Sequence, residues 1–203
     1  LLEVMEEKQV TIGGKKHSLG SPFFVMATQN PLEIEGTYPL PETQLDRFIL
    51  KLSLGYVDSR DSETEILRRR NEWKRDDPSD EVKRVTDKSS FREIQGLLEK
   101  SIFVHEKVLN YITKIVRNTR DNPKIDLGPS PRGGLALFKL SRAHALLKGR
   151  DFVIPDDVKK FVEDALAHRV TLSSESRGNE ERARDIIRDL TEKVETPREY
   201  EPR

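Results

Sequence analysis

The stretch from residue 24 to 48, FVMATQNPLEIEGTYPLPETQLDRF, constrains the fold more than any other part of the chain. Phe23, Phe24, Val25, Met26 and Ala27 make a continuous apolar run of strand length. An unbroken run, rather than an alternating one, suits a strand buried on both faces, as in a parallel sheet. In open α/β sheets, ligands bind beyond the carboxyl ends of the strands. Thr28, Gln29 and Asn30 fall at that end. Asn30 offers both a donor and an acceptor, so it can orient a water or meet a phosphate. Asn followed by Pro31 is equally a turn-forming pair.

Arg47 lies in the segment PETQLDRF. Pro41 suits a first helical turn, and Glu42 is favourable near the positive end of a helix. The pattern predicts a short helix over Gln44 to Phe48, running into a second apolar strand from Ile49 to Leu54. An arginine there can reach a phosphate on a neighbouring subunit. It can also form a local ion pair with Asp46 or end in solvent.

With 203 residues the chain is long enough for one or two domains with a real core. Its 36 basic and 36 acidic side chains leave a formal net charge of zero, which gives no global pull toward nucleic acid or anionic membrane. There is no cysteine, so disulfides and thiolate metal sites are excluded. No apolar run approaches the ~20 residues of a membrane span, and no signal peptide is visible. LLEVMEEK reads as the end of an amphipathic helix without an N-cap. No GxxxxGK[ST] loop and no strand ending in an acidic pair occurs in the sequence. The chain therefore reads as the C-terminal portion of a longer protein.

Two short strands around Gly13-Gly14 predict a β-hairpin with Lys15, Lys16 and His17 near its tip. Gly55 and residues 56–58 mark a domain boundary, after which the pattern is helical. Ser59 or Ser62 suits the cap of a helix reaching about Lys74. Ser89 or Ser90 suits the start of the next, with Phe91, Ile94, Leu97 and Leu98 at helical spacing. Glu106 to Arg120 predicts an amphipathic helix with Val108, Tyr111, Ile112, Ile115 and Val116 inward. In GPSPRGG, Ser130 is a good N-cap and Pro131 a good first residue for a helix to about Leu147. Arg132 then sits in the first turn, unfavourably placed against the helix dipole unless an anion binds there. A further helix is expected from Pro155 to about His168, although Ile154 cannot cap it with its side chain. A polar loop is expected over Thr171 to Asn179 and a last helix over Glu180 to Lys193. His17, His105, His144 and His168 lack paired ligand spacing, so no metal site is expected.

ATQNP, EGTYPLPETQLDRF and GPSPRGG together resemble the second half of the ATPase core and the lid of the MoxR family of AAA+ proteins. The resemblance covers nearly the whole chain, and is strongest over residues 1–56 and 126–170. Thr43 stands where the family often has Ala, and Ile154 where it more often has Thr. The resemblance implies a fold class of partial α/β core followed by an all-α lid. Its divisions are 1–56 for the core portion, 57–195 for the lid and 196–203 for a flexible tail. It implies that the hairpin is the insert before sensor 1, and that Asn30 is sensor 1 and positions the attacking water. Arg47 resembles the arginine finger, acting on ATP held by the adjacent subunit. Arg132 resembles sensor 2, contacting the ATP γ-phosphate in cis or in trans.

ATP and Mg2+ are implied as cofactors of the intact protein, and the portion present here is expected to be inactive alone. The family resemblance further implies a cytoplasmic homo-oligomeric ring, commonly a hexamer. Its work would be chaperone-like remodelling or maturation of client proteins, with a von Willebrand factor A domain partner. Two other readings stay open. One is a nucleic-acid motor, since minichromosome maintenance helicases share the hairpin and finger plan. The other is a non-catalytic helical interaction module.

Overall fold

The structure, a computed structural model, describes residues 2–29, 40–77, 79–176 and 180–198. It opens with helix α1 (Leu2–Glu7), followed by strands β1 (Gln9–Ile12) and β2 (Lys15–Ser18). These strands pair antiparallel, Gln9 against Ser18 and Ile12 against Lys15. Gly13 and Gly14 turn the chain at φ of 57° and 77°. A two-residue hairpin of type I′ needs positive φ at both positions, which glycine adopts without a Cβ penalty.

The apolar run at residues 23–27 does not form the expected strand. Among the described residues it joins no sheet, and Phe24 and Met26 are largely exposed while Phe23 and Val25 are half-buried. A strand buried on both faces needs neighbours on both edges and a layer above and below, and the described residues pair no strand with it. The same holds for residues 49–54, expected as a second strand: no ladder forms, and Leu52 and Leu54 face solvent. Between them helix α2 spans Glu42–Leu45, so Pro41 is its N-cap residue and Asp46 and Arg47 lie in the turn that follows.

Helix α3 (Arg60–Trp73) starts at Ser59, whose hydroxyl accepts from the Ser62 N–H at 3.2 Å. It ends at Lys74, which adopts a left-handed conformation. None of its side chains is buried. Helix α4 (Lys88–Ser101) is capped by Asp87 rather than by either expected serine. The Asp87 carboxylate accepts from the Ser90 N–H at 2.9 Å and the Ser89 hydroxyl at 2.6 Å. A carboxylate does the capping work better here because it takes both donors at once.

The hydrophobic core lies in the C-terminal half. It is built from α5 (Glu106–Arg120), α6 (Pro131–Leu147), α7 (Pro155–Lys159), α8 (Val162–Leu166) and α9 (Glu180–Lys193). Val108, Tyr111 and Ile115 of α5 meet Leu137 of α6, Val158 of α7, Leu166 of α8 and Ile187 of α9. Each fully buried aliphatic side chain of this kind contributes about 1.5–3 kcal/mol. Strands β3 (Ile125–Leu127) and β4 (Thr171–Leu172) pair antiparallel and tie the α5–α6 connection to the segment before α9.

The helix expected from Pro155 to His168 is broken. It divides into α7, α8 and a 3-10 turn over Ala167–Arg169. Phe161 leaves helical geometry at φ −113°, ψ 1°, and its ring packs edge-on against His144 at 5.6 Å. At the start of α7, the Asp157 carboxylate accepts from the Ile154 N–H at 2.9 Å. This supplies the half of a capping box that needs no side-chain acceptor at Ile154. Of the expected tail, residues 196–198 hold no helix or strand and residues 199–203 lie outside the described residues.

A candidate anion-binding face

Three segments distant in sequence converge at one edge of the helical bundle. Glu6 comes from the last turn of α1, Asp46 and Arg47 from the turn after α2, and Ser130 and Arg132 from the start of α6. The Ser130 hydroxyl accepts from the Arg132 N–H at 3.1 Å and so caps α6. The same hydroxyl donates to the Asp46 carboxylate at 2.9 and 3.1 Å. Arg132 extends two guanidinium arms. Nη1 reaches Asp46 Oδ2 at 3.3 Å and Nη2 reaches Glu6 Oε1 at 3.4 Å. Arg47 forms an ion pair with the same Glu6 oxygen.

This arrangement answers the electrostatic question posed by Arg132. A cation in the first turn of a helix opposes the dipole, and an anion at that end reverses the balance. Here the anions are two carboxylates of the chain itself, Asp46 and Glu6. Arg47 pairs with Glu6 and not with its neighbour Asp46, which turns instead toward α6 and toward Arg169.

Arg169, in the 3-10 turn after α8, is the buried element of the cluster, with its side chain 2% exposed. Its Nε donates to Asp46 Oδ1 at 3.1 Å. Its Nη2 donates to the carbonyls of Asp46 at 3.0 Å and Phe48 at 2.6 Å. Its Nη1 donates to the Ile49 carbonyl at 3.3 Å and to the Ala165 carbonyl. Burial pulls the guanidinium below its ordinary pKa, and the Asp46 carboxylate works against that shift. An arginine stays charged throughout the physiological range regardless.

Of the residues singled out from sequence, Arg47 and Arg132 are thus brought together on one carboxylate oxygen. Asn30 lies outside the described residues. Lys15 and Lys16 are exposed on the hairpin. Glu6, Asp46 and Arg169 were missed as members of the cluster. For Arg169 the signal was present. Val162, Ala165, Leu166 and Arg169 follow helical spacing, which places a guanidinium on an otherwise apolar face. Among the described residues no group of three His, Asp or Glu side chains is placed to hold a metal ion. No helix among them is long and apolar enough to cross a membrane. The guanidiniums of Arg47 and Arg132 are donors, which meet anionic oxygens and cannot ligate Mg2+.

Residues 1–50 match the family model for the ATPase family associated with various cellular activities (AAA), and residues 117–190 match that for the AAA lid domain. The chain is 36% identical, over 97% of its length, to chaperone MoxR1 of Mycobacterium tuberculosis, of which it covers 53%. The chain belongs to the MoxR family of AAA+ ATPases. It is also 42% identical over 197 residues to the uncharacterized protein YeaC of Bacillus subtilis, covering 97% of this chain and 60% of that one. A crystal structure from Cytophaga hutchinsonii, of a protein assigned as an ATPase, superposes with a TM-score of 0.84 at 37% identity. That match covers 97% of this chain and 61% of the other. The chain thus spans between half and two thirds of the length of these three relatives. The first lid-model residue lies inside α5 and the last inside α9, so the model spans most of the buried core. The fold is an α/β AAA+ core portion followed by an all-α lid.

Proposed function

We propose that this chain supplies the finger and lid of a MoxR-type ATPase that works as a ring, with Arg47 and Arg132 presented together to the nucleotide of a neighbouring subunit. The observation that carries the reading is their convergence on one oxygen of Glu6. Two guanidiniums that share a carboxylate can share a phosphate oxygen, because both groups present anionic oxygens that accept charge-assisted N–H bonds. Glu6 and Arg132 are each about half exposed, whereas Arg47 is 18% exposed, so an incoming phosphate reaches Arg132 first and displaces the carboxylate from Arg47. Both arginines lie on one face, which supports action on the same γ-phosphate in trans.

In this reading Arg47 donates to the oxygens of the transferring phosphoryl group and stabilises the charge that develops there. Arg132, in the first turn of α6, holds the terminal phosphate in place. Asn30 orients the attacking water. Mg2+, when bound in the intact protein, would neutralise phosphate charge, and none of these arginines would hold it. The domain division at residues 1–56, 57–195 and 196–203 follows from the same reading. So do the hexameric ring, the cytoplasmic setting, remodelling of client proteins and a von Willebrand factor A domain partner. The balanced charge of the chain gives no support to a nucleic-acid-tracking role.

The test is ATP hydrolysis by a form of the protein extended upstream through a phosphate-binding loop, measured against protein concentration. Specific activity should rise as the subunits assemble. Arg47→Ala should leave ATP binding nearly intact and lower turnover by ~10³-fold or more, the range of an arginine finger. Unchanged turnover in that variant would remove the finger assignment.

A further inference from the structure

Arg47 is not held by its own short helix. Helix α2 has only four residues, with no side-chain cap and no buried side chain. An isolated turn of this length is not stable in water, so the position of Arg47 must be set by what grips its flanks. The grip comes from the lid. Arg169 donates to the carbonyls of Asp46, Phe48 and Ile49, which bracket Arg47 on both sides. Its Nε takes the Asp46 side chain, and its remaining contact is the Ala165 carbonyl at the root of its own turn. All five donors of the guanidinium are thereby used. Two further bonds continue the clamp. The Lys51 N–H donates to the Asp164 carbonyl at 2.9 Å, and His168 Nε2 lies 3.2 Å from the Phe48 carbonyl. Asp46 carries the connection onward, because the carboxylate held by Arg169 also accepts from Ser130 and Arg132.

We propose that Arg169 is the positioning residue that fixes the Arg47 guanidinium, and that it does so by clamping the backbone of residues 46–49 to the lid. It touches no substrate and acts only through Arg47, so the inference rests on the reading of Arg47 as the finger. A movement of the lid is transmitted to Arg47 and Arg132 together, through one buried guanidinium and one carboxylate. Lysine cannot replace it, since an ammonium has three donors on a point centre and cannot span four carbonyls and a carboxylate.

Arg169→Lys and Arg169→Gln are compared with Arg47→Ala in the upstream-extended protein, with Asp46→Asn as a milder break of the same clamp. A misplacement of about 1 Å in a positioned group costs ~10²-fold in rate. Both Arg169 variants should lose ~10²-fold in kcat with KM for ATP unchanged within about threefold, and Arg169→Lys should not rescue. Asp46→Asn should show a smaller loss of the same kind. Amide exchange at residues 47, 48 and 51 should quicken ~10-fold or more while the α5 and α6 amides keep their protection. A merely structural role would instead lower protection throughout the lid. If Arg47→Ala abolishes turnover while Arg169→Gln and Asp46→Asn leave kcat and the exchange at 47–51 unchanged, the clamp is refuted and the finger stands. If Arg47→Ala itself leaves turnover unchanged, both readings fall.

Discussion

Two adjacent glycines in the first turns of α6 should respond oppositely to the same substitution. A Cβ added at Gly133 would lie 2.8 Å from Pro129 Cβ, 3.0 Å from Leu166 Cδ2 and 3.6 Å from Arg169 Cδ. The first contact is with a rigid ring that is itself buried, so it cannot be relieved by a rotamer change. A Cβ at Gly134 would meet only Val116 Cγ2, at an ordinary 3.9 Å. Alanine is favoured over glycine inside a helix by up to about 1 kcal/mol. Gly134→Ala should therefore stabilise by roughly 0.5–1 kcal/mol. At Gly133 the same gain is set against overpacking of about 1–3 kcal/mol, for a net loss of roughly 1 kcal/mol. The two variants should differ by about 2 kcal/mol, or on the order of 10 °C in melting temperature for a domain of lid size. Thermal unfolding followed by circular dichroism, with urea titration as a check, measures the difference. A Gly133→Ala protein as stable as Gly134→Ala would refute the close approach of α6 to Pro129 and α8. That approach is what places Arg132 beside Asp46 and Arg169.

Asp157 should behave as a structural anchor. Burial alone would raise its carboxyl, but bonds from Arg150, the Ile154 N–H and His144 outweigh this and hold it below its ordinary value. A carboxyl with a lowered folded-state pKa contributes stability above its unfolded value of about 3.9, and loses it as pH falls through the folded value. Urea midpoints should therefore drop below about pH 4, and Asp157→Asn should flatten that slope. Asp157→Ala, which strips partners from Arg150 and His144, should cost about 3 kcal/mol at neutral pH by denaturant titration. Arg132→Ala should weaken nucleotide affinity as well as turnover, measured by equilibrium binding with a fluorescent ATP analogue. The chain on its own should self-associate in sedimentation experiments, because Phe24, Met26, Leu52, Leu54 and Tyr56 are all exposed. Polar replacements at Leu54 and Tyr56 should reduce that association.

The lid was legible where a helix carries its own signal. Helices α5 and α9 lie at the expected limits, and the inward residues of α5 are those its stripe marked. Ser130 and Pro131 open α6 as their chemistry requires. What escaped was set by contacts between distant segments. At the break, the Phe161 ring packs against His144, seventeen positions earlier, a contact that local spacing does not reveal. The apolar runs at 23–27 and 49–54 read as strands, but a strand is completed by its neighbours, and the described residues hold none for them. At the candidate site, motif resemblance picked out Arg47 and Arg132. It could not show that Glu6 joins them, nor that Arg169 reaches back more than a hundred residues to hold the turn between. An arginine on an apolar helix face was the visible clue.

The central claim is that the Arg47 and Arg132 face serves a nucleotide held by another subunit. Mixed assemblies of the upstream-extended protein test it directly. One subunit carries Arg47→Ala and binds ATP without offering a finger. The other has a disabled phosphate-binding loop and offers a finger without binding ATP. Each is inactive alone. Co-assembly should restore ATP hydrolysis, because an intact loop then meets an intact Arg47 across the subunit boundary. Co-assembled subunits that stay inactive, with mixed rings demonstrated by sedimentation, would contradict the account.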